Sequence, residues 1–157
     1  MLEKSLKYIA LWSIGAFMYG IIEIFFKGNT HICMGIVGGI CLILIGNINQ
    51  SFGFDIPLFK QMFYGAIIIT SFELATGVLL NMWLNLDVWD YSKLPFNFEG
   101  QICLLFSAIW YFLSGFAIII DDYARFLIFK EPKPYRYYIF RAPRIFKIPK
   151  TSQISKA

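Results

Sequence analysis

Four polar side chains interrupt a chain that is otherwise mostly apolar: Glu23, Glu73, Asp90 and Gln101. Two carboxylates inside hydrophobic runs, with a third carboxylate and an amide beside them, could carry protons, hold a cation or meet a lipid headgroup. Glu73 lies in the middle of the apolar run Gln61–Met82, with Thr70, Ser71, Thr76 and Gly77 around it. An ionisable group at such depth faces a bundle interior or a wet cavity by default. Glu23 lies about four turns into the first run, and Lys27 follows four residues later. A local Glu23–Lys27 pair is therefore the alternative to a functional acid. Asp90 and Gln101 belong to the polar, aromatic stretch Trp89–Cys103. The expectation is a polar pocket lined by Glu23, Glu73, Asp90 and Gln101, facing the same half of the membrane as the Trp89–Cys103 loop.

The elements that must position these groups are membrane spans. Of 157 residues, 58% are hydrophobic and 15% charged, against about 45–50% and 25% in soluble domains. A soluble core of this size cannot hide that much apolar surface. Crossing a bilayer takes about 17–25 apolar residues, and four stretches qualify, at about 8–27, 32–48, 61–82 and 101–120. The turn Gly28-Asn29-Thr30 forces antiparallel neighbours. The predicted fold is all-α: a polytopic four-transmembrane-helix antiparallel bundle, with a structured aromatic loop between helices 3 and 4. Residues 1–122 form the membrane domain and 123–157 a basic aromatic tail.

Within the spans, Gly35 and Gly39 form a small-xxx-small pair that allows close helix packing or a homo-oligomer. Asp55 and Pro57 are expected at the start of the third helix, with Pro57 in its first turn. In the loop, Trp89, Tyr91, Phe96 and Phe98 suit the headgroup level. Ser92 with Asp90 favours a side-chain-stabilised turn, Pro95 restrains Leu94, and Gly100 falls at a turn. Asn97 is expected to cap the fourth helix, with Glu99 in the first turn. His31 has no ligand partner at a suitable spacing and reads as a helix-end residue. Cys33, Cys41 and Cys103 lie in apolar runs as small hydrophobes, although Cys33 and Cys103 could reach the same membrane face. No metal or cofactor site is expected, and no catalytic residue is assigned.

From Asp121 onward the chain carries nine Lys or Arg against three acids, broken by four prolines and interleaved with Tyr and Phe. This tail suits an anionic lipid surface better than nucleic acid once the chain is anchored in a membrane. A hairpin or partner-binding arm between Tyr135 and Ile148 fits the same segment. The positive-inside rule places the tail in the cytoplasm. Four spans then put the start, with Lys4 and Lys7, there too, and the Trp89–Cys103 loop outside.

The residues Trp89-Asp90-Tyr91-Ser92, Pro95-Phe96-Asn97 and Gly100-Gln101-Ile102-Cys103, followed by Phe106 and Trp110, carry a resemblance. With Gly20/Glu23 and Phe72/Glu73, the chain resembles over about residues 10–125 the bacterial membrane-protein family labelled ABC-transporter type IV, also called CmpB-like. The resemblance implies a small multi-pass protein of the bacterial cell membrane and specifies no activity. Gln101 stands where members often carry Arg or another residue, so no fixed positive charge beside the acids is implied.

Three functions compete. A transport or transporter-accessory subunit is favoured by the mid-membrane acids. It would need a separate ATPase, because the chain has no GxxxxGK[ST] phosphate loop. A structural or regulatory partner of another membrane protein would use the loop and tail as contact surfaces. An enzyme acting on a lipid or lipid-linked substrate is the weakest reading. No nucleophile stands beside a base, no histidines are paired, and no metal-ligand spacing occurs.

Overall fold

A computed structural model describes residues 2–52, 56–132 and 137. Gly53, Asp55, the Lys27 side chain and all of the basic tail after Pro132 except Tyr137 lie outside the described residues. So do the expected Asp55 cap, the Glu23–Lys27 pair and the arm between Tyr135 and Ile148.

Four helices cross the structure: α1 (Leu2–Lys27), α2 (Ile32–Phe52), α3 (Leu58–Gly77) and α4 (Leu104–Phe129). A π-helical turn, Val78–Trp83, extends α3. Each helix is long and apolar enough to span a bilayer, α3 only together with its π turn. At 1.5 Å per residue, about 20 residues cover the hydrocarbon core. Large apolar side chains are exposed along the helices, among them Phe17, Phe25, Phe63, Phe112, Phe116 and Leu127. Water would penalise that surface and lipid does not, so this is a multi-pass membrane protein.

α1 packs along α2 and α3 along α4, while α2 touches all three other helices and is the most buried of the four. Close packing of the first pair rests on glycines. A Cβ at Gly38 would lie 2.4 Å from Tyr19 Cβ, and one at Gly39 would lie 2.5 Å from the Trp12 ring. Gly39 is therefore used inside the chain, against α1, and Gly35 meets only Ala16 at ordinary contact distance. Between α3 and α4, Gly65 leaves room for Ser114, whose Oγ would lie 2.5 Å from an added Cβ. The Ser114 hydroxyl donates back to Trp110 O at 2.7 Å, so the serine costs the apolar interface no unpaired group.

Several helix ends differ from expectation, each for a local reason. Pro57 is the N-cap of α3, with an extended backbone, and not part of its first turn. Asn97 does not cap α4. It sits in a two-residue strand β1 (Asn97–Phe98) that pairs antiparallel with β2 (Ile102–Cys103), and α4 starts only at Leu104. Glu99 and Gly100 form the turn between the strands, both with positive φ. Asp121 and Asp122 do not end the fourth helix, because α4 continues two turns to Phe129. Arg125, one turn beyond Asp121, neutralises it within the helix (Nε to Oδ2, 2.5 Å) and removes the reason to stop. The Lys7–Glu131 ion pair joins the start of α1 to the end of α4, so both lie at one end of the bundle and the loop at the other.

Gly38→Ala forces α1 and α2 apart and should lower stability by about 1–3 kcal/mol. Gly20→Ala, where nothing lies within 4 Å, should be neutral or stabilising by up to about 1 kcal/mol. Denaturant titration of the two variants in the same detergent checks the contrast.

Candidate functional site

A carboxylate in mid-span must find donors inside the protein, because lipid offers none. Two of them serve Glu73, which is 3% exposed. The Tyr91 hydroxyl donates to Oε1 and Trp110 Nε1 donates to Oε2, each at 3.0 Å. Trp110 comes from the second turn of α4, and Tyr91 reaches down from the loop. Burial and the Glu73 charge push the Tyr91 phenol above its usual pKa, which keeps it a donor.

A ladder of rings holds both donors in place. Tyr91 stacks on Phe106 at 4.5 Å between centroids, Phe106 tilts against Trp110 at 6.3 Å, and Trp110 stacks on Tyr19 of α1 at 6.0 Å. Beneath the ladder is a cavity of about 90 Å³ between the helix pairs, lined by Tyr19, Met34, Cys41, Ile69, Glu73 and Trp110 among others. Its walls are almost wholly apolar, with Glu73 the one ionised-type group among them. Such a space accommodates an apolar body with a cationic or hydrogen-bonding head.

The loop is built to hold Tyr91. The π turn presents Asn81 to it: Nδ2 donates to Trp89 O at 3.0 Å and to Gln101 Oε1 at 2.9 Å, while Oδ1 accepts from Val88 N at 2.8 Å. Trp89 Nε1 donates to Gln101 O and Gln101 Nε2 to Glu99 O, both at 2.9 Å. Gly77, just before the π turn, lets Gln101 and Trp89 approach, since a Cβ there would lie 2.5 Å from Gln101 Oε1. On the outer side, Asn97 Nδ2 donates to Leu94 O at 2.7 Å and to Ser92 O at 3.1 Å, and its Oδ1 accepts from Gly100 N at 3.1 Å. Gly100 has φ +69°, and a Cβ on it would strike Asp90 Oδ1 at 2.7 Å, so any side chain there is strained. Pro95 is exposed at the turn before Phe96.

The four expected pocket residues thus have four surroundings. Glu73 lines the cavity. Gln101 is buried and locks the loop onto the π turn. Glu23 is buried at the α1–α2 turn, where its Oε2 accepts from Thr30 Oγ1 at 2.6 Å and from His31 N at 3.4 Å. His31 in turn caps α2, its Nδ1 accepting from Cys33 N at 3.3 Å. Asp90 is exposed, and its carboxylate accepts from Ser92 N at 2.7 Å and Ser92 Oγ at 2.8 Å. Those bonds, with Lys93 beside them, hold its carboxyl below the usual range. Cys33 and Cys103 share the cluster around Met34, Leu80, Trp89 and Tyr91 as free thiols.

The family described as "Putative ABC-transporter type IV" matches residues 16–141. The chain belongs to this family. No curated protein and no solved structure gives a significant match. The match takes in α2, α3 and α4 and the second half of α1, so Glu73, its two donors and the folded loop of this ABC-transporter type IV chain lie inside it. Among the described residues no three His, Cys, Asp or Glu side chains gather as a metal site.

A second polar cluster, at the terminal end of the bundle, escaped sequence reasoning. Besides its bond to Asp121, Arg125 donates from Nη2 to Asn47 Oδ1 at 3.3 Å. Asp122 Oδ2 accepts from Asn49 Nδ2 at 2.6 Å and from the Tyr137 hydroxyl at 2.8 Å. The signal was present: Asp121 and Arg125 are one turn apart, and Asn47 and Asn49 close an apolar run. Reading Asp121 as the end of the span hid it.

Tyr91→Phe and Trp110→Phe each remove one donor from Glu73 and should each lower stability by about 1.5–3 kcal/mol. In a Glu73→Gln background each should cost less than half as much, because the partners act as one unit. A double-mutant cycle by denaturant titration measures the coupling.

Proposed function

We propose that this chain is the membrane-embedded subunit of a transporter and works with a separate ATPase. The observation that carries the reading is Glu73: a buried carboxylate at mid-span, on the wall of an inter-helix cavity, latched by one donor from the loop and one from α4. A latch of this kind can exchange its two internal donors for the head of a cargo, and moving the loop would withdraw the Tyr91 donor. The chain carries no phosphate-binding loop of its own.

The orientation that fits places the terminal end, with Lys4, Lys7 and the basic tail, at the cytoplasm, where an ATPase would dock, and the acidic loop outside. The tail would then lie on the anionic inner leaflet. Glu73, Tyr91, Trp110 and Gln101 are the residues assigned to the cavity and its closure, with Glu23 and Asp90 shaping the turns beside it. A second reading, a regulatory partner of another membrane protein, draws on the loop tip, where Phe96 is 81% exposed and Phe98 59% exposed.

Native mass spectrometry of the chain released gently from its own membranes tests the reading, beside Glu73→Gln. The expected outcome is a stoichiometric ATPase partner that survives the substitution, with transport by the reconstituted complex reduced at least about tenfold, as removal of a group worth 1.4 kcal/mol or more requires. Release of the chain alone would overturn the reading, and release with a membrane protein lacking ATPase activity, whose binding is lost in Phe96→Ser, would replace it by the second.

A further inference from the structure

Four oxygens at the terminal end of the bundle are buried without any hydrogen-bond partner among the described residues: Asn49 Oδ1, Gln61 Oε1, Asp121 Oδ1 and Asp122 Oδ1. Their side chains are at most 4% exposed. A buried acceptor left alone loses its hydration and gains nothing, at a cost of about 1–3 kcal/mol, more when charged. Four such atoms in one cluster call for a common partner.

Packing of three helices brings them to one level of the bundle. Asp121 and Asp122 both meet α2, Asp121 against Gly46 and Asp122 at Asn49, whose amide nitrogen lies 2.6 Å from Asp122 Oδ2 and carries Asn49 Oδ1 beside it. Gly46, one turn before Asn49, makes the space: a Cβ there would fall 2.0 Å from the Asp121 carboxyl carbon. Gln61 enters from α3. One turn further along α3, Gly65 touches both Ser114 of α4 and Ile45 of α2. One turn back, between antiparallel neighbours, Gln61 lies at the level of Ile118 and Asn49. Its amide nitrogen is taken by Ile56 O at 2.9 Å, leaving the oxygen free.

The charges do not balance. Arg125 is committed to Asp121 Oδ2 and Asn47 Oδ1. Lys7 and Glu131 neutralise one another nearby. Among the described residues the donors to Asp122 are neutral, Asn49 and Tyr137. Among the described residues, two carboxylates and one guanidinium leave a single negative charge in a site where the free valences are oxygen lone pairs. A divalent ion would over-compensate that charge. Water could reach the atoms but would leave the charge uncompensated.

We propose that this cluster binds one monovalent alkali cation through Asn49 Oδ1, Gln61 Oε1, Asp121 Oδ1 and Asp122 Oδ1. Hard oxygen ligands from carboxylates and amides suit such an ion. The ion ties α2, α3 and α4 together at the end opposite the Glu73 cavity. The assignment stands independently of the transport reading, and its test involves neither an ATPase nor a cargo.

The test is thermal unfolding of the full chain in nanodiscs, followed by tryptophan fluorescence, in NaCl, KCl and N-methyl-D-glucamine chloride at matched ionic strength. The wild-type midpoint should rise saturably with Na⁺ or K⁺ and stay low in the organic cation, and whichever alkali ion acts at the lower concentration is the preferred one. Asp122→Asn should abolish the response and, in the organic cation, unfold at or above the wild-type midpoint, because its amide supplies the missing donors. Gln61→Met keeps the bulk, removes one ligand and should raise the half-saturating concentration about tenfold. It carries the test alone if Asp122→Asn fails to fold. Equal wild-type midpoints in all three salts would overturn the proposal, as would a full alkali response in either variant. So would a midpoint indifferent to salt that falls as pH is raised, which would put a proton in place of the ion.

Discussion

Glu73 sits where neither water nor lipid can serve it, and much of the loop end of the molecule follows from that. Its donors must be internal. One comes from Trp110 on the neighbouring helix, the other from Tyr91, which has to descend from the loop to reach it. For Tyr91 to stay there the loop must be rigid. The π turn, Asn81, Gln101 and the hairpin from Asn97 to Cys103 make it so. Gly77 and Gly100 are the two places where any side chain would keep the loop off the helix or off its own turn. The ring ladder from Tyr91 to Tyr19 then carries the same constraint across to α1, which otherwise meets α4 at few points.

The terminal end meets a similar demand in a different way. There the carboxylates of Asp121 and Asp122 are accommodated by Arg125 on their own helix and by Asn47 and Asn49 of α2. Gly46 gives up its side chain to admit Asp121. The loop end surrounds its one mid-span carboxylate with donors, whereas the terminal end leaves acceptor oxygens over. The two ends are joined by α2, the most buried helix, so a change in packing at either end reaches the other through the same central element. Membership of the ABC-transporter type IV family gives this arrangement a context in transport.

The two ends were not equally legible in the sequence. Four spans could be counted because each needs a long apolar run, and that is a property of consecutive residues. The Gly28–Thr30 turn, the aromatic loop and the depth of Glu73 could be read for the same reason. Helix limits were less legible. Asn97 has the chemistry of a cap, but its side chain is used inside the loop to bind Leu94 O and Ser92 O. Asp121 and Asp122 have the look of a helix end, and only the Arg125 pairing shows that the helix runs on.

What the sequence alone determined is the environment, the number of crossings and the residues too costly to be accidental. These follow from composition and from spacing along one chain, because lipid exacts the same requirement of every span. Only the tertiary structure decided which partners meet: Tyr91 and Trp110 at Glu73, Thr30 at Glu23, Asn49 at Asp122, Gln61 beside α2 and α4. Those pairings depend on how the helices are rotated against one another, and that rotation is set by close contacts at Gly38, Gly39, Gly46 and Gly65. A glycine in a sequence does not say which neighbour it makes room for, so the site could be suspected residue by residue but not assembled.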